Sequence, residues 1–103
     1  MFYLVLTTTK GRAEAGRIAK KIVEEQLAAC ANVVPGISST YRWEGKIERS
    51  KETLLLIKTS KGKLAKLIKR IKELHTYKVP EIMALPIKRG SPEYFKWLRE
   101  SLK

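Results

Sequence analysis

The chain has 103 residues, 44 % of them hydrophobic and 31 % charged, with 22 Lys and Arg against 10 acids and a formal net charge of +12. That length suits one domain with one modest core, and the apolar fraction excludes a disordered chain. A single cysteine excludes an intrachain disulfide framework, and no apolar stretch approaches the ~20 residues needed to cross a bilayer.

The charge lies above the roughly 2 to 8 usual for a small soluble domain, so polyanions such as nucleic acid are expected to be held non-specifically, through charge alone. Every acid is Glu, and Asn and Gln occur once each, as Asn32 and Gln26. A Lys- and Glu-rich chain poor in amides is the composition of proteins that work hot. Nothing asks for an oxidising compartment, and the apolar run Phe2 to Leu6 is too short for a signal peptide, so the expected location is the cytoplasm and no membrane partner is expected.

Phe2 to Thr9 is a run of β-formers without clean alternation, which suits a central strand covered on both faces. Lys10-Gly11 ends it. From Arg12 to Ala29 the apolar residues Ala15, Ile18, Ala19, Ile22, Val23 and Leu27 recur at spacings of three and four, which predicts an amphipathic helix lying on a sheet. Cys30 to Trp43, a Glu44-Gly45 turn and Lys46 to Thr59 then read as one long β-hairpin. Ile37, Ser39, Tyr41 and Trp43 fall on one face and Ser38, Thr40 and Arg42 on the other. The arms are long for such a domain. Ala31 to Trp43 would span about 43 Å at roughly 3.3 Å per residue, against a diameter of about 33 Å for a compact chain of this length. The hairpin is therefore expected to bend at Pro35-Gly36 and to leave the body and pair with another chain.

Ser60 is placed as an N-cap, and Leu64, Leu67, Ile68, Ile71 and Leu74 form a second helical stripe ending near His75. His75 to Pro80 is a connection, and Glu81 to Ile87 a last strand whose Pro86 belongs at a sheet edge. Ser91-Pro92-Glu93 combines a cap, a first-turn proline and an acid, and starts a terminal helix that docks through Tyr94, Trp97 or Leu98, and Leu102. The order β-α-β-β-α-β plus a C-terminal helix predicts an α+β, ferredoxin-like sandwich, with two helices on one face of a four-stranded antiparallel sheet.

Five pieces of this chain together resemble one family: Ala28-Ala-Cys-Ala-Asn32, Tyr41-Arg-Trp-Glu-Gly-Lys-Ile-Glu48, Leu56-Ile-Lys-Thr59, His75-Thr-Tyr-Lys-Val-Pro-Glu81 and Tyr94-Phe-Lys-Trp97. They are similar in order and spacing to the CutA divalent-cation tolerance proteins. The resemblance implies a single ferredoxin-like domain over residues 1–103, a homotrimer built through the long hairpin, and an architecture like that of the PII signalling trimers. It implies a role in metal-ion response, with copper binding ascribed to some members and no catalytic reaction. The copper site ascribed to some bacterial relatives uses a cysteine near the end of the first strand and two adjacent histidines. In this chain those positions fall near Thr7 and at Leu74-His75.

Candidate metal ligands are His75, Glu81 and Cys30, which adjoining chains of a trimer could bring together around copper(II) or another divalent cation. The bland alternatives are a packing role for Cys30 and a hydrogen-bonding role for His75. Tyr41, Trp43 and Tyr77, with Glu44 and Lys58, are candidates for an inter-subunit cleft or for packing between chains. No phosphate-binding glycine loop and no nucleophile with a base occur in a recognisable motif, so binding is expected and turnover is not. Two readings stay open: weak divalent-metal binding, and a PII-like sensor that takes a small anion in its inter-subunit clefts.

Overall fold

The computed structural model describes residues Met1–Lys103. Its elements are β1 (Phe2–Thr9), α1 (Arg12–Glu24), β2 (Cys30–Trp43), β3 (Lys46–Ser60), α2 (Lys61–Leu74), β4 (Ile82–Ile87) and α3 (Pro92–Ser101). The four strands form one sheet in the order β2-β3-β1-β4, and every pairing is antiparallel. This is the ferredoxin-like arrangement expected from the element order, with β1 inside the sheet and Pro86 on the edge strand β4.

Alternation along the strands divides the sheet into two unlike faces. Val5, Leu55 and Ile57 point to the helix side, where they pack against Ala15, Ile18 and Ile22 of α1 and Leu67 and Ile71 of α2, all fully buried. The other face carries the cross-strand rows Asn32, Leu56, Leu6, Met83 and Cys30, Lys58, Leu4, Leu85. α3 covers only one end of it. There Phe95 stacks on Phe2 with ring centroids 5.2 Å apart, and Leu98 and Leu102 are buried. The rest of that face is open in one chain: Leu4, Leu6, Leu54 and Leu56 are half-buried, and Met83 and Leu85 are 50 % and 49 % exposed.

The hairpin turns as the residue pattern predicts. Trp43 pairs with Lys46, and both Glu44 (φ 50°) and Gly45 (φ 78°) take left-handed backbone, the two-residue reversal whose twist matches that of the strands. A register shift between Val34 and Ile37, with Gly36 at φ 76°, bends β2 where Pro35-Gly36 was expected to bend it. The arms carry the molecule to 44 × 25 × 22 Å, an elongated shape set by the projecting strand pair.

Two local expectations are corrected. The first helix ends at Glu24 and not at Ala29, because Gln26 takes φ 57° and the Leu27 and Gln26 amides donate back to the carbonyls of Ile22 and Val23. That is a Schellman cap made without glycine, and it turns Leu27 and Ala28 onto the core. Ser60 occupies the N-cap position of α2 but makes no capping side-chain bond; the Lys61 amide donates instead to the Met1 carbonyl at 2.9 Å. At α3 the expected cap forms, with Ser91 Oγ accepting from the Tyr94 amide ahead of Pro92.

Candidate functional site

The second face of the sheet continues up the hairpin, since Tyr41, Ser39 and Ile37 pair with Glu48, Ser50 and Glu52 in the same alternation that places Leu54 and Leu56. The connection after α2 passes beside this surface on its way to β4. Between them lies a cleft of about 560 Å³, whose walls are Ser39, Thr40, Tyr41 and Trp43 of β2, Glu52 of β3, Thr8 of β1, and Tyr77, Lys78, Val79 and Glu81 of the connection. Trp43 is 54 % and Tyr41 43 % exposed, so both rings present open faces.

One hydrogen bond closes the inner end. The Tyr77 hydroxyl donates to Glu52 Oε2 at 2.7 Å. Burial, the Glu52 hydrogen bond and its negative charge all push the Tyr77 phenol well above its ordinary value of 10.0, so at neutral pH the hydroxyl keeps its proton and stays a donor. Replacing Tyr77 with Phe leaves a buried carboxylate without its donor. The expected loss is about 1–3 kcal/mol of stability, measured by urea unfolding at fixed protein concentration, and no loss would mean that water replaces the hydroxyl.

Behind the cleft stands a second polar chain, and it decides the role of His75. The imidazole is buried, with Nε2 2.8 Å from the Thr8 carbonyl oxygen and Nδ1 accepting from the Tyr77 amide at 3.1 Å. A carbonyl only accepts, so Nε2 is the ring nitrogen that donates to Thr8, and Nδ1 faces the Tyr77 amide. Glu14, 2 % exposed, reaches in from α1: its Oε2 accepts from the Thr76 amide at 2.7 Å and lies 3.7 Å from His75 Nδ1. Both ring nitrogens are therefore committed within the fold. His75 orients the 75–77 backbone, and within one chain both of its ring nitrogens face partners of the fold and not open space.

The remaining candidates separate in space. Tyr41, Trp43, Tyr77 and Glu81 come together in the cleft. Glu44 does not join them, because its left-handed backbone puts it at the apex of the hairpin. Lys58 stands apart from them within one chain: it lies six residues along β3 from Glu52, about 20 Å at strand rise, where its ammonium contacts Asn32 Oδ1 and lies 3.9 Å from Cys30 Sγ. Cys30 is half-buried there, beside Tyr94, whose phenol is pushed up by burial and by the thiol. Thr7, at one family ligand position, is fully buried with an unpartnered hydroxyl.

Cys30, His75 and Glu81 are thus at three different places in the chain, and nowhere do three or more His, Cys, Asp or Glu side chains converge as metal ligands. The donors of a single chain do not fit a resident metal, which needs three or four ligands in fixed geometry. Sequence reasoning missed Glu52 as a cleft residue. The signal was present, because pairing Trp43 with Lys46 already sets Glu52 on the side of Tyr41 and Trp43; its bond to Tyr77 had no local signal at all.

The sheet order and the long hairpin define a ferredoxin-like α+β fold with a cleft walled by the hairpin. The sequence profile of the family described as CutA1 divalent ion tolerance protein matches residues 3–101. The divalent-cation tolerance protein CutA of Thermus thermophilus is 52 % identical over 98 residues, covering 95 % of each chain. Its Escherichia coli counterpart is 39 % identical over 97 % of this chain and 89 % of its own length. Among solved structures, the Thermus thermophilus protein superimposes with a TM-score of 0.96 at 50 % identity over the whole of both chains. The periplasmic divalent cation tolerance protein CutA of Archaeoglobus fulgidus gives 0.96 at 40 % identity, again over the whole of both chains. This chain belongs to the CutA1 divalent ion tolerance family.

Proposed function

We propose that the protein serves divalent-cation response by binding and not by turnover, as a cytoplasmic homotrimer whose hairpin clefts are completed by adjoining chains. The observation that carries this reading is the position of the cleft. It opens on the same sheet face that leaves Leu4, Leu6, Leu56, Met83 and Leu85 uncovered, so a second copy seated on that face also borders Tyr41, Trp43 and Glu81. Within one chain, Glu81 is an exposed carboxylate without an ion-pair partner and Glu52 is already engaged by Tyr77. Cation contact at the cleft is therefore weak and draws further ligands from a neighbour, with copper(II) bound more tightly than zinc by the general order of divalent affinities.

A second reading, a PII-like sensor taking a small anion, has one observation in its favour: Lys78 lines the same cleft of a chain with net charge +12. Calorimetry of the assembled protein with copper(II), zinc, magnesium and ATP separates the two. Weak copper binding that falls in Glu81→Gln and persists in Cys30→Ala is the expected result. Nanomolar copper affinity lost only in Cys30→Ala would place the site at the other end of the sheet. Saturation by ATP with no cation response would favour the anion sensor.

A further inference from the structure

The net charge is unevenly placed. α1 and α2 hold ten of the 22 Lys and Arg but only three of the 10 acids, so a quarter of the chain carries more than half of the +12. The fold sharpens this imbalance. Glu14 is turned inward to Thr76 and His75, and Arg70 crosses from α2 to hold Glu25 through two 2.9 Å bonds while reaching Glu73 at 3.4 Å. What remains on the outer surface is Arg12, Arg17, Lys20 and Lys21 of α1, and Lys61, Lys63, Lys66, Lys69 and Lys72 of α2. None has an ion-pair partner, and Glu24 is the one acid of the two helices left free among them.

Three further features describe what such a face can hold. It is low, because Ala13, Gly16, Gly62 and Ala65 are exposed and the space beyond Gly16 and Gly62 is open for 4 Å. It carries no aromatic side chain to stack on a base and no Asn, Gln, Ser, Thr or His, so Lys and Arg, the residues that hold phosphates, are its only long polar donors. It also lacks an apolar anchor for a lipid surface, Val23 at 39 % being the only large apolar residue exposed on either helix. The first turn of α2 adds the positive end of its dipole, with Lys61 and Lys63 there, no acid and no side-chain cap. Each helix is about 20 Å long and neighbours lie about 8–10 Å apart, a patch that spans several phosphates of a duplex.

We propose that the outer face of α1 and α2 is a docking surface for double-stranded nucleic acid, engaged through the phosphate backbone without sequence preference. It lies across the sheet from the open apolar face and the cleft, so assembly through that apolar face leaves it accessible in every subunit. This surface is independent of the cation reading, which concerns the opposite side of the sheet.

Fluorescence anisotropy of the assembled protein with a labelled DNA duplex of about 20 base pairs, at salt from about 50 to about 200 mM, tests it. The variant Lys20→Gln, Lys66→Gln, Lys69→Gln is compared with Lys88→Gln, Arg89→Gln, Lys96→Gln, which removes the same charge around α3. The helix-face variant is expected to lose at least about tenfold in affinity and about 2.7 in the log–log salt slope, the control less than about threefold. Equal losses in the two variants would overturn the proposal, because bulk charge and not this face would then be acting. Tighter binding to single strands or to anionic phosphatidylserine vesicles than to the duplex would overturn it as well. Matching circular dichroism and melting curves confirm that both variants are folded.

Discussion

Sedimentation at micromolar concentration is expected to return a particle of three 11.8 kDa chains, and Leu56→Glu is expected to reduce it to single chains. Leu56 sits in the middle of the row Asn32, Leu56, Leu6, Met83 on the open sheet face. Full burial of a large apolar side chain is worth about 1.5–3 kcal/mol, so completing the burial of several half-covered residues supplies the drive for association. A carboxylate placed there carries an unpaired charge into the contact, at a cost of several kcal/mol. Trp43→Ala with Tyr41→Ala is expected to weaken the assembly less, since those rings are on the hairpin and border the cleft. A wild-type monomer at that concentration, or an intact trimer in Leu56→Glu, would refute this use of the sheet face.

Glu14→Ala is expected to destabilise the fold by about 2–3 kcal/mol near neutral pH. The Thr76 amide loses its acceptor, the longer 3.4 Å bond from the Lys10 amide goes with it, and His75 loses the carboxylate beside it. The pH dependence follows from the same contacts. Burial pushes the Glu14 carboxyl up, but the hydrogen bonds from Thr76, the charge on His75 when protonated and the Lys10 amide together bring it below its ordinary 4.5. A carboxyl lowered in the folded state contributes stability above its unfolded value and loses it as pH falls through the lower folded value. Glu14→Gln should therefore show a flatter stability profile than wild type below about pH 4.5. Urea unfolding across that range, at one protein concentration because assembly contributes, is the measurement. Parallel profiles would mean that Glu14 is not the titrating group.

His75 and Glu52 show where reading residues along a chain stops being enough. His75, the only histidine, was a metal candidate by its type and by its place at one of the family's ligand positions. Its partners are Thr8, 67 residues away, and Glu14, brought close by the crossing of α1 over the sheet. Neither partner has a spacing or motif that announces it. Lys58 was grouped with Tyr41, Trp43 and Tyr77 as a cleft candidate, yet strand rise alone separates it from the cleft end of β3 by about 20 Å. Gln26 is a smaller case of the same kind: glycine usually marks a left-handed helix end, and here a glutamine takes that backbone because Leu27 and Ala28 gain burial beyond it.

What the residues determined by themselves is everything with a short range. Period two set the hairpin faces, period three to four set the helical stripes, Glu44-Gly45 and Pro35-Gly36 marked the turn and the bend, and Ser91-Pro92 marked the start of α3. Element order then led to the ferredoxin-like sheet, and five motifs in register led to the CutA1 family. Such features depend on backbone preferences and on apolar burial within a few residues, and both are written locally. The tertiary structure alone decided that Tyr77 closes on Glu52, that His75 is a buried hydrogen-bonding residue, and that the charge of the two helices gathers on one outer face. Those outcomes depend on which distant groups meet once the strands adopt the order β2-β3-β1-β4, and on each buried donor or acceptor finding its partner there.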